Sequence, residues 1–288
     1  MRHPRVLGLA GLAALAVAAA AIAQNTPTAE PATPPAGEDV PAAAEPAGTQ
    51  PAGSTATVSP LEAPGTIQTT SIEDTALADL ADTHPGDAEA GAAKATVCAA
   101  CHGVDGNPSD PQYPRIAGQN ERYMARQLAL FKAGERTTPM AAIMQPYAMP
   151  LSAQDMRDIG AYFAGQSAGA GIADDAEIAT GDYAGMKFFE VGQQLYRSGN
   201  AARGIPACMA CHGPAGRGNP GPPYPSVAGQ FADYTARQLE LFREGMALGT
   251  GDHANSVMAD VAAELTDEEI QALASYIEGL HPNPVAAE

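Results

Sequence analysis

All four cysteines of this chain fall in two copies of one pattern, Cys98-Ala-Ala-Cys101-His102 and Cys208-Met-Ala-Cys211-His212. Two thiols three residues apart, followed at once by an imidazole, form the attachment pattern of c-type haem. Both sulfurs add to porphyrin vinyl groups, and the histidine binds the iron from one side. Zinc is a poorer match, because it takes four ligands and each motif offers three. The two motifs also lie 106 residues apart. A thioredoxin-like pair calls for a βαβ setting that the sequence lacks. A plain disulfide leaves His102 and His212 unexplained.

The far side of each iron needs a second ligand, and a thioether is the usual partner of histidine in electron-carrying cytochromes. Met258 stands seven residues before Leu265, and Met144 stands seven before Leu151. This shared register selects Met144 over Met149 and Met140. Met246 follows a helix end and is read as packing. Of the remaining histidines, His3, His84, His253 and His281 do not repeat; they are read as surface residues, with His253 a lesser candidate ligand. A metal-bound histidine usually donates its other ring N–H to a carbonyl. Pro114 and Pro225, twelve and thirteen residues after the two histidines, are placed to supply one. Arg126 and Arg237 repeat and could face the carboxylates of a haem.

These residues sit in a duplicated scaffold. Tyr113-Pro-Arg-Ile-Ala-Gly-Gln119 matches Tyr224-Pro-Ser-Val-Ala-Gly-Gln230, and Tyr123-Met-Ala-Arg-Gln-Leu128 matches Tyr234-Thr-Ala-Arg-Gln-Leu239. Tyr123, Gln127, Leu128 and Phe131 share one helical face, as do Tyr234, Gln238, Leu239 and Phe242. Gly134 and Gly245 then fall where left-handed caps are expected. Ser152 with Asp155 and Thr266 with Glu269 form capping boxes that open the last helix of each copy, stapled by Leu151–Met156 and Leu265–Ile270. Tyr162 and Tyr276 are expected to pack on the first helix of each copy, with Gly91 and Gly192 permitting the approach. No segment after residue 84 alternates as a strand. The expected fold is all-α, with two domains at 84–170 and 171–288. Units this small have marginal cores, and a large apolar cofactor would fill each interior.

Residues 1–23 read as an export signal: Arg2 and Arg5, an apolar run from Val6, and a small-x-small site at Ala21-Ile22-Ala23. The run is also at the lower edge of a membrane span, so an uncleaved anchor is the rival reading. Residues 24–83, rich in Pro and Ala, read as a disordered linker, with a weak helical turn over Glu73–Ala81. The formal charge is −18, from 15 Lys+Arg against 33 Asp+Glu. That field repels a polyanion, which argues against nucleic-acid binding.

The run Cys98-x-x-Cys101-His102-Gly-x-Asp-Gly-Asn107, the two Ala-Gly-Gln runs, the Tyr-x-x-x-Gln-Leu helices and Gly204-Ile-Pro206 before the second motif together resemble the cytochrome c4 family over residues 84–288. That family comprises tandem di-haem cytochromes of the bacterial periplasm. The resemblance implies two cytochrome c domains related by an approximate two-fold axis. It also implies a periplasmic electron carrier holding two covalent haem c groups. Its expected partners are a quinol-oxidising complex as donor and a terminal oxidase or another acceptor. A di-haem peroxidase and a subunit of a dehydrogenase complex are the alternatives. The linker is foreign to the family pattern.

Overall fold

A computed structural model of the chain describes residues 76–219 and 221–281. The expected signal and most of the expected linker lie outside the described residues. The described residues contain helices and short 3₁₀ turns, with isolated antiparallel bridges but no strand. No helix among them is long and apolar enough to cross a membrane.

The first copy runs α1 (Ala88–Lys94), α2 (Ala99–His102), α3 (Glu121–Ala133), α4 (Ala141–Ala148) and α5 (Ala153–Ala164). The second repeats this order as α6 (Phe188–Ser198), α7 (Met209–His212), α8 (Ala232–Arg243), α9 (Val257–Ala262) and α10 (Asp267–Gly279). In each copy the last helix packs against the first and third: α5 on α1 and α3, α10 on α6 and α8. The remaining long-loop helices, α4 and α9, rest on α3 and α8.

Sequence signals fix these elements locally. Ser152 accepts from the Asp155 N–H while the Asp155 carboxylate accepts from the Ser152 N–H, and Thr266 with Glu269 does the same. Both expected capping boxes therefore form. Gly134 adopts the left-handed cap conformation, and Gly245, one residue past the α8 cap, also has positive φ. Asn120 caps α3 by accepting from the Tyr123 N–H. The close crossing of first and last helices depends on two glycines. A Cβ at Gly91 would lie 1.9 Å from the Asp158 carbonyl oxygen, and one at Gly192 2.0 Å from that of Ala272.

Two expectations shift. The linker ends before residue 83: the helical turn expected over Glu73–Ala81 is present at Ala76–Ala78 and continues as a 3₁₀ turn at Asp79–Asp82, and Ala76, Leu77 and Leu80 join the first core. Three apolar side chains at helical spacing find a surface to cover. Tyr276 packs on Tyr196 of α6 as expected, ring centroids 5.4 Å apart. Tyr162 instead stacks edge-on against Phe163 and donates its hydroxyl to the Val104 carbonyl at 2.9 Å.

Candidate functional site

Each Cys-x-x-Cys-His run winds into one helical turn. The His102 N–H donates to the Cys98 carbonyl at 2.9 Å, and the His212 N–H to that of Cys208 at 2.9 Å. Residues spaced i, i+3 and i+4 on a turn share a face, so two sulfurs and one imidazole point the same way in each motif. Gly103 and Gly213 follow with φ of 78° and 76°, a conformation that turns the chain away directly after the histidine. All four cysteines are free and half-buried. Burial pushes the Cys98 thiol above its usual range and the Cys208 thiol up to about 11. Both sites favour uncharged sulfur, as a thioether is.

His102 and His212 are buried, and each places Nδ1 2.9 Å from a proline carbonyl, Pro114 and Pro225 respectively. A carbonyl only accepts, so Nδ1 carries the proton and Nε2 presents a lone pair. Burial lowers both histidine pKa values, opposed in part by those carbonyls. A neutral, oriented imidazole is the form that binds a metal. The expected role of the two prolines is thus met by geometry. The Tyr113 ring stands edge-on to His102 at 6.2 Å.

Both histidines open on one continuous cleft of about 980 Å³ running between the two copies. The predicted helical stripes face it: Tyr123, Gln127, Leu128 and Phe131 from α3, and Tyr234, Gln238, Leu239 and Phe242 from α8. Met144 and Met258 both line the cleft and pack against the first and second cores. Met140 also reaches the cleft but is 44% exposed; Met149 is 46% exposed and does not line it. Met246 packs on the second core, as expected. His253 is no simple surface residue. It lines the cleft, and its Nδ1 lies 3.0 Å from the carboxylate of Glu135 in the other copy.

The polar lining is what a carboxylate-bearing, largely apolar ligand requires. Arg115 Nε, Arg136 Nε and Thr235 Oγ1 line the cleft, are out of solvent contact and have no hydrogen-bond partner. Buried donors left unpaired are costly, and a hydrogen-bond-accepting group bound in the cleft would satisfy these three. Arg126 and Arg237 also line the cleft, and Arg126 donates to the His253 carbonyl at 2.9 Å. Two free thiol pairs, two ligand-ready imidazoles, an apolar cleft and orphaned cationic donors together fit haem.

Across the cleft's rim the copies hold each other reciprocally. The Gln119 side chain bonds the backbone N–H and carbonyl of Ser226, at 2.9 and 3.0 Å. Gln230 does the same to Arg115, at 3.0 and 2.9 Å. Gln119 and Gln230 are repeat equivalents, and so are Arg115 and Ser226. This pattern is the local signature of a pseudo-two-fold axis.

The family model described as Cytochrome c matches twice, over residues 88–167 and 189–281. Cytochrome c4 of Stutzerimonas stutzeri is 45% identical over 196 residues, covering 65% of this chain and 86% of the relative.

The chain belongs to the di-haem cytochrome c4 family.

A crystal structure of reduced recombinant cytochrome c4 from Pseudomonas stutzeri superposes with a TM-score of 0.58 at 44% identity, covering 68% of this chain and all of that one. A thiosulfate dehydrogenase electron acceptor of Stutzerimonas stutzeri is 37% identical, covering 63% of this chain and 78% of the relative. As a cytochrome c4 family member the chain carries two covalent haem c groups, and the pairs Cys98 with Cys101 and Cys208 with Cys211 fit their attachment. Repeat-based reading missed Arg115, Arg136 and Glu135, because their counterparts are Ser226, Ala247 and Met246. Only the duplicated glutamines left a signal.

Proposed function

We propose that this cytochrome c4 family protein is a periplasmic one-electron carrier, in which His102 and Met144 would hold one haem iron and His212 and Met258 the other. The single observation that supports the ligand set is the shared placement of both methionines. Each lies on the helix packed against the tyrosine–glutamine helix of its own copy, and each lines the same cleft as its histidine. Haem iron supplies reversible one-electron chemistry, and His/Met ligation raises its potential. The chain's part is to hold the imidazoles in one tautomer through Pro114 and Pro225, to keep water from the cleft, and to keep both sites within one rigid seam. Division into domains at 84–170 and 171–288 is supported by the segment after Ala170. There the Gly171 N–H donates to the Glu278 carbonyl and the Asp174 N–H to the Ser275 hydroxyl, so it packs on the second copy.

Residues 1–23 direct export, cleaved or retained as an anchor. Acceptor proteins with a basic docking face suit the acidic surface, and a terminal oxidase and a quinol-oxidising complex are the proposed partners. A second reading, electron acceptor for a thiosulfate dehydrogenase, is supported by the similarity to relatives of that description. Steady-state reduction by such an enzyme separates the two. For the ligand set, Met144→Ala and Met258→Ala are each expected to abolish half of the methionine-to-iron charge-transfer band of the oxidised protein. The corresponding iron should become high-spin or bind an external ligand. An unaltered band in either variant removes that methionine from the assignment.

A further inference from the structure

Between α3 and α8, at the junction of the two copies, lies a guanidinium with no anion. Nη1 of Arg136 donates to Gln127 Oε1 at 2.9 Å; Nη2 lies 3.4 Å from the Tyr234 hydroxyl and 3.4 Å from Gln238 Oε1. Gln127 and Gln238 are repeat equivalents, so this one side chain sits where the two copies' matching helices meet. Its charge lies over the Phe131 ring, 4.8 Å from the centroid, and its Nε has no partner.

No carboxylate among the described residues lies within ion-pairing distance of Arg136. Its neighbour Glu135 is already engaged: its carboxylate accepts from the Thr250 N–H at 3.2 Å and lies 3.0 Å from His253 Nδ1. Of the other cleft arginines, Arg115 and Arg126 spend donors on the Gly229 and His253 carbonyls, and Arg237 is exposed. Arg136 is half-buried, with its Nε out of solvent contact, and a cation partly withdrawn from water without a counter-charge is unfavourable. Burial pushes the nearby Tyr123 hydroxyl up to about 12, so it stays neutral and offers no negative charge. The group that occupies the cleft can supply that anion, because haem carries two carboxylates. The second copy has Ala247 at the equivalent position, so Arg136 has no repeat counterpart.

We propose that Arg136 is a single counter-ion shared by the carboxylates of both haems, and that it sets both reduction potentials together. A fixed positive charge disfavours the ferric state, so the guanidinium raises both potentials; one residue of the first copy thereby tunes the second. The inference rests on the di-haem reading, so haem content and the ligand spectrum are measured first on every variant.

The test is spectroelectrochemical titration of the full-length holoprotein. Arg136→Gln is expected to lower both midpoint potentials, each by about tenfold in the redox equilibrium, or about 59 mV for one electron. Arg136→Lys should retain most of both. Arg122→Gln serves as control, because it removes the same charge and a cross-copy bond to the Gly221 carbonyl from an exposed site; it should move neither potential comparably. A shift at one haem only, equal shifts for Gln and Lys, or no shift overturns the proposal. If Arg136→Gln fails to retain haem, Arg136→Lys decides. Its two potentials must fall together as the lysine loses its proton at alkaline pH, in excess of any change in the parent protein; a flat or single-haem response overturns the assignment.

Discussion

The two copies carry the same motif on the same helices yet fill their interiors differently. Of the ten buried apolar residues in the first core, five are alanine: Ala76, Ala95, Ala125, Ala129 and Ala133. The second core holds sixteen, of which four are alanine, with Tyr196, Leu195, Phe242, Ile270 and Leu273 supplying bulk. Apolar burial stabilises in proportion to area, so the first copy draws less on its own side chains. It must draw more on the porphyrin. Charge divides along the same line. Residues 84–170 hold 7 Lys+Arg against 8 Asp+Glu, whereas residues 171–288 hold 6 against 16. One half is nearly neutral and exposes Met140, Ile143, Tyr147 and Met149 around α4; on α9 only Val257 is comparably exposed. Duplication has preserved the redox site while the shells around it diverged.

The largest expected effect breaks that comparison at the cofactor. Cys98→Ala with Cys101→Ala should unfold the first copy, a loss on the order of a whole small domain's stability, about 5 kcal/mol or more. Cys208→Ala with Cys211→Ala should leave the second copy with substantial helical content. Far-UV circular dichroism and limited proteolysis compare the two, and equal loss in both would refute the difference between the cores. Next come Gly91→Ala and Gly192→Ala. Each drives a methyl into a backbone carbonyl at 1.9 or 2.0 Å, so the helices must separate. A cost at or above the upper end of the roughly 1–3 kcal/mol typical of overpacking is expected, read by thermal unfolding.

The helix caps offer a sharper contrast. Glu269 is 0% exposed and bonds Tyr183, Arg203 and the Thr266 N–H, whereas its counterpart Asp155 is partly solvated beside Lys94. Glu269→Gln should cost about 3 kcal/mol by stranding buried partners, and Asp155→Ala about 1 kcal/mol. Acid separates the halves further. Burial acts to raise the Asp158 pKa, but the Asp87 N–H, Lys94 and Gln154 outweigh it and hold the carboxyl at about 2, against an ordinary 3.8. A depressed carboxyl stabilises the fold above its unfolded value and loses that contribution as pH falls through about 2. Asp158→Asn should flatten this part of the stability–pH curve in the first copy alone. A further pair of variants tests what the copies share. Gln119→Ala and Gln230→Ala each remove two cross-copy bonds and should weaken the seam equally, by about 1–2 kcal/mol.

Most of the fold was legible because it is duplicated. Helical stripes, two capping boxes, two staples and two glycine crossings each recur, and every recurrence pointed to a physical requirement rather than to chance. The haem motifs, the proline carbonyls and the cleft-facing α3 and α8 stripes were legible for the same reason. What escaped was whatever the copies do not share. Arg136 faces Ala247 in the alignment, Glu135 faces Met246, and Arg115 faces Ser226, so a reading anchored on repetition discards them. His253 looked like a surface residue because its carboxylate partner lies 118 positions away in sequence. Of the segment around residue 80, the helical turn was legible in sequence, but its packing on the first core was not. Three apolar side chains at 76, 77 and 80 carry little signal until α5 provides a surface for them.

The paired glutamines have a consequence of their own. A grip that reads identically in both directions needs nothing but two copies of one surface, so a lone ancestral unit bearing that residue could already have matched its twin. Covalent fusion then holds the two together at any dilution, and each side becomes free to change without losing the other.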